Sequence, residues 1–132
     1  MLKLEQERAK FALEQVERVK GSTKVAKFKT QLLKLPARLH NNGLGQTVGY
    51  LLAQKPDSPE REICGWLETW LKQGYAGIYA EGSLIQCITG TPPSEHDPGK
   101  VEPKYRRASG EARALANWLK RFAEAFLAGE AE

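Results

Sequence analysis

The chain is poor in the residue types from which most catalytic and metal sites are built. Its 132 residues include two histidines, two cysteines and two aspartates. Neither Cys64 nor Cys87 belongs to a CxxC pair or a His/Cys cluster, and they lie 23 positions apart. A zinc site needs four ligands, and no second pair is present, so no metal or other cofactor is expected. Two buried, reduced thiols and a cytoplasmic location are the natural expectation. No run of eighteen apolar residues occurs, which excludes a membrane-spanning helix. The opening Met-Leu-Lys-Leu-Glu-Gln-Glu-Arg has no apolar core followed by a small-residue cleavage site, so no secretory signal is expected. Alternating Val/Ile/Thr runs are also missing, which argues against a sheet.

What is present is ordinary globular composition, 41% hydrophobic and 27% charged. At this length one domain covering residues 1–132 is expected, able to bury roughly 65–70% of its unfolded surface without disulfide or metal. The net charge is +4, but it is unevenly spread. Residues 1–54 carry a net +6, residues 55–99 a net −4 and residues 100–132 a net +2. From Arg18 to Arg38 there are seven basic residues and no acid.

Apolar periodicity predicts helices. Ala9, Ala12, Leu13, Val16 and Val19 form one stripe over residues 4–19, closed by Gly21. Ser22 or Thr23 then caps a second helix with Val25, Phe28, Leu32, Leu35 and Leu39 on its apolar side. Pro36 is expected to kink it or to start a new short helix, and Asn41-Asn42-Gly43 to end it. A third helix is predicted over 44–54, with Leu44, Val48, Leu51 and Leu52 on one face. A fourth is predicted over 59–72, with Ser58 as cap, Pro59 first in the helix, and a stop at Gly74. Its Trp66 and Trp70 are read as core. Residues 81–89 suit a short helix, with strand as the rival. Residues 90–103, with four of the seven prolines, read as an exposed, mobile loop. The last helix is predicted over 109–128, on Ala112, Leu115, Leu119, Phe122 and Phe126. The expected fold is all-α, a single compact bundle of about six helices.

Two basic sets stand out. On a helical wheel Lys24, Lys27, Gln31, Lys34 and Arg38 fall within about 80° of one another. The apolar set is centred roughly a quarter-turn away. An aligned row of positive charge without counter-acids suits phosphates, because each contact releases condensed counterions; a solvated lysine face is the alternative. The second set is Lys100, Lys104, Arg106 and Arg107 around Tyr105. That tyrosine either stacks on an unpaired base or anchors the chain where the loop rejoins the bundle. Gly43-Leu44-Gly45 is no phosphate loop, since the GxxxxGK[ST] pattern is absent. Gly45, Gly49 and Ala53 repeat every four residues, a smooth face for close helix packing or for a neighbouring subunit. His40 has no partner at useful spacing, and His96 is expected to be solvated beside Asp97. The glutamates Glu5, Glu7, Glu14 and Glu17 each have a basic neighbour, so no catalytic dyad is expected. Taken together these residues predict a protein that is not an enzyme.

Residues 35–52, with Leu35-Pro36, Asn42-Gly43-Leu44 and Gln46-Thr47, resemble a signature of the small helical subunit of the Cmr complex. So do Tyr105-Arg106-Arg107-Ala108, Glu111-Ala112 and Trp118-Leu119-Lys120-Arg121-Phe122-Ala123-Glu124-Ala125, and Arg8 and Ala9 suit the pattern. The likeness runs from about residue 5 to 127 and leaves residues 90–103 uncovered. The complex is the type III-B CRISPR effector, an RNA-guided RNA-silencing assembly of antiviral defence, and this is its fifth-named subunit. The resemblance implies a helical, non-catalytic subunit whose copies line one side of the complex and help form the channel for target RNA. It implies as partners other Cmr subunits, the guide and target RNA backbone and further copies of itself, with no membrane. The candidate RNA contacts, Lys24, Lys27, Lys34, Arg38, Lys104, Arg106 and Arg107, rest on charge patterning. Two other readings carry different signatures. A helical DNA-binding regulator would need Arg, Asn or Gln aimed at base edges, and the stripe is mainly lysine. A pure scaffold would show no nucleic-acid contact.

Overall fold

Helix-forming stretches with their own punctuation account for most of the secondary structure. In a computed structural model, which describes residues 2–72 and 76–129, five helices are found: α1 (Leu2–Val19), α2 (Val25–Leu52), α3 (Pro59–Leu71), α4 (Leu84–Thr89) and α5 (Pro98–Phe126). No strand occurs among the described residues; an isolated bridge pairs Lys72 with Tyr79. The stop expected at Gly74 lies outside the described residues.

Local caps set several boundaries. Ser58 Oγ accepts from the Arg61 N–H, and Pro59 occupies the first turn of α3, where its missing N–H costs nothing. Ser83 and Gln86 form a reciprocal capping box that starts α4 and decides helix over strand for this segment. Gly90 ends α4 in the left-handed region at φ 72°, and a Cβ there would come within 3.0 Å of the Val101 side chain.

Five helices replace the six expected because the second and third are joined. The ladder of α2 runs through Pro36, which keeps helical dihedrals, and on past Asn41. The punctuation read at Asn41-Asn42-Gly43 survives as a kink: Gly43 sits at φ 84°, ψ 166° inside the helix. That conformation is open to glycine and strained for other residues. The start of α5 differs as well. It begins at Pro98, not near residue 109, so the second half of the proline-rich segment is helical. Asp97 explains this: its carboxylate accepts from the Gly99 N–H, and its carbonyl accepts from the Lys100 and Val101 N–H groups. Pro98 then stands first in the helix, where proline is tolerated.

The chain divides into two compact units, residues 1–41 with 113–132, and residues 42–112. In the first, the buried apolar residues include Ala12, Val16 and Val19 of α1, Phe28, Leu32, Leu35 and Leu39 of α2, and Leu115, Leu119, Ala123 and Leu127 towards the C-terminus. The second buries Leu44, Val48, Leu51, Ile63, Trp66, Leu67, Trp70 and Leu71. Both tryptophans are thus core residues; Trp70 also donates from Nε1 to Glu111 Oε2 at 2.9 Å. The seam read on the last helix needs correction at its end. Leu115 and Leu119 are fully buried, whereas Phe122 is half-buried and Phe126 is 43% exposed. The core positions shift to Leu119, Ala123 and Leu127, one every four residues, and the two phenylalanines are left on the flank.

Candidate nucleic-acid interface

The first basic set is presented by the start of α2. Ser22 Oγ accepts from the Lys24 N–H at 3.0 Å, and the Lys24 carbonyl accepts from Phe28. These bonds close the first turn and fix where the row begins. Lys24, Lys27 and Lys34 are exposed, while Phe28, Leu32 and Leu35 are buried. The amphipathic division read from the wheel is therefore present. Gln31 does not follow it. It is 9% exposed, and its Oε1 accepts from Nη2 of the half-buried Arg38 at 3.3 Å. The row that faces solvent is three lysines, with Arg38 held at its end by Gln31.

The second basic set is less unified. Lys100, Arg106 and Arg107 are exposed, and Lys104 is half-buried. Arg106 pairs with Glu102 at 3.7 Å, on a fully solvated surface where such pairs contribute little. At about 100° per residue, Lys104 and Arg106 point well apart along α5. Tyr105 is an anchor: its hydroxyl accepts the Gly45 N–H at 2.9 Å. The N–H it receives lies just past the Gly43 kink. Gly45 also lies against Ile88, whereas Gly49 meets nothing within 4 Å and Ala53 is exposed, so the small-residue face packs at one end only.

Lys104 borders a cleft of about 340 Å³ lined also by Tyr79, Cys87, Ser94 and His96. Burial pushes the Tyr79 phenol up to about 12, with Cys87 and Tyr105 adding to the shift, so it stays neutral. Ser94 donates to the Glu81 carbonyl, and the Cys87 sulfur lies 3.4 Å from the same hydroxyl. His96 is exposed, as expected. Cys64 and Cys87 are both buried and unbridged. Burial raises the Cys64 thiol to about 11, with Glu68 adding and Arg61 opposing, which suppresses its nucleophilic thiolate. Among the described residues no group of three or more His, Cys, Asp or Glu is placed to hold a metal ion. No helix among them is long and apolar enough to cross a membrane.

One surface feature escaped the sequence reading. Trp118, Phe122 and Phe126 recur every four residues along α5, with ring centroids 5.4 and 6.0 Å apart. Their spacing was visible, but it coincides with the spacing of a core seam.

A family model described as CRISPR-associated protein (Cas_Cmr5) matches residues 4–126.

Proposed function

Because the chain belongs to the Cas_Cmr5 family of CRISPR-associated proteins, a family of Cmr-complex subunits, we propose that it acts as a non-catalytic subunit lining the RNA channel of a type III-B effector. The observation that carries this reading is the row Lys24, Lys27 and Lys34, exposed on one side of α2 within a stretch that contains no acid. Lysine is a flexible point charge, suited to phosphates rather than to a planar base edge. The contact would follow the RNA backbone and be largely indifferent to sequence. Arg38, tied to Gln31, closes the row, and Lys104, Arg106 and Arg107 are secondary candidates on their own unit. Other Cmr subunits, guide and target RNA, and further copies of the chain are its partners in this reading, in the cytoplasm. Chemistry on the target falls to other subunits, and the purified chain leaves RNA and nucleotides intact.

The test is a reconstituted effector carrying Lys→Ala at 24, 27 and 34, with target-RNA affinity measured across a salt series. Each lost phosphate contact should lower the log–log salt slope by roughly 0.7–0.9. An intact assembly whose affinity and slope both match the unsubstituted complex would show that the lysines are a solvated face.

A further inference from the structure

The aromatic ladder on α5 is the feature that the backbone-tracking reading leaves unused. Trp118 is held in place at one end, its Nε1 donating to Glu5 Oε2 at 3.0 Å. Phe126 is 43% exposed at the other end, the most exposed large hydrophobic side chain among the described residues. Phe126 packs on Phe122 on one side, and a cation borders it on another. Lys20 Nζ stands 5.7 Å from the Phe126 ring centroid, and it also pairs with Glu17 at 3.8 Å. Arg121, paired with Glu124 at 3.9 Å, borders Trp118 in a cavity of about 280 Å³.

The exposed end of the ladder also meets the beginning of the lysine row. A Cβ on Gly129 would come within 2.8 Å of the Ala26 Cβ, so the chain just beyond Phe126 lies against Ala26. Ala26 shares the first turn of α2 with Lys24 and Lys27 but points about 110° from their row. The end of the ladder therefore lies beside the turn where the row begins, within one compact unit.

We propose that Phe126, backed by Phe122 and Trp118, is a stacking platform for an unpaired base of single-stranded RNA, beside the turn of α2 where the lysine row begins. This rests on the RNA-channel reading and adds to it a second kind of contact, with the base and not the phosphate. Aromatic faces beside a positively charged groove are how proteins hold single strands without reading sequence. Lys20 Nζ lies over the Phe126 ring, so a base that stacks there displaces this cation towards its own phosphate.

The two contacts leave different signatures. Stacking is not a counterion-release process, so losing it lowers affinity at every salt concentration and leaves the salt slope alone. In the reconstituted effector, Phe126→Ala should weaken binding of a single-stranded RNA target at least about fivefold at unchanged salt slope. Phe126→Leu keeps an apolar side chain but no π face and should behave like Phe126→Ala, while Phe126→Tyr should retain affinity. In the isolated full chain, a uridylate 20-mer at low salt should quench tryptophan fluorescence, and Trp118→Phe should abolish the quenching. Trp66 and Trp70 are 4% and 0% exposed, so Trp118 is the accessible reporter. Full affinity in Phe126→Leu would overturn the platform in favour of an apolar protein contact. Absence of quenching would overturn it as well. A loss in the Phe126 variants alongside an unchanged slope in the lysine variants would retain the platform and remove the lysine row.

Discussion

The Tyr105 hydroxyl accepts the backbone N–H of Gly45 at 2.9 Å, across sixty residues of sequence. The reason lies two residues earlier. At Gly43 the backbone leaves the helical region, so the N–H groups just beyond the kink lose their partners in the preceding turn. Tyr105 supplies a side-chain acceptor for one of them, acting as a cap from another helix. Tyr105→Phe keeps the ring and removes the acceptor. It should cost about 1–3 kcal/mol, the penalty for leaving a partly buried donor unsatisfied. Urea unfolding would report it as a lower midpoint at unchanged m-value.

The last helix separates core from flank along one stretch. Leu119 is fully buried, while Phe126 is 43% exposed. Leu119→Ala should cost about 2–5 kcal/mol. Phe126→Ala should cost less than Leu119→Ala, because a partly exposed side chain buries less surface and leaves no closed cavity. Equal losses in thermal unfolding would show that the flank is as well packed as the seam.

The short helix α4 depends on its box. Ser83 accepts from the Gln86 N–H, and the Gln86 side chain accepts from the Ser83 N–H at 2.9 Å. A six-residue helix has little stability of its own. Ser83→Ala should cost about 0.5–2 kcal/mol. Amide exchange should accelerate locally in residues 84–89, and unchanged exchange would count against the cap.

Alkaline stability should carry the mark of Cys64. Its folded value of about 11 lies above the ordinary thiol value of 9.0, mainly through burial. Above the lower value the unfolded chain loses this proton while the folded chain keeps it, so folding binds more protons. The associated stability is whole below about pH 9 and is lost as pH rises to about 11. Cys64→Ala should flatten stability over that window. A slope that persists unchanged would assign the alkaline effect to other groups, Tyr79 first, whose window runs from 10.0 to about 12.

Features set by neighbours along the chain were legible in the residues alone. The Ser58–Pro59 start of α3, the end of α1 before Gly21, the Ser83 start of α4 and the amphipathic split of α2 all depend on contacts within a turn or two. The family signature and the row of lysines were equally legible, being matters of residue identity and spacing. Tertiary structure decided what spacing leaves open. Gly43 reads as a break between two helical stretches and is one; what spacing could not show is the tyrosine sixty residues away that accepts an N–H past the kink. Gln31 shares the lysine face by angle, yet it is drawn inward beside Arg38. Phe126 and Leu127 are both apolar neighbours at the end of α5, and a period near four residues fits either as core. Packing buried Leu127 at 4% exposure and left Phe126 at 43%. A wheel gives the angle between two side chains, but which angle faces the core depends on the segment that packs against it.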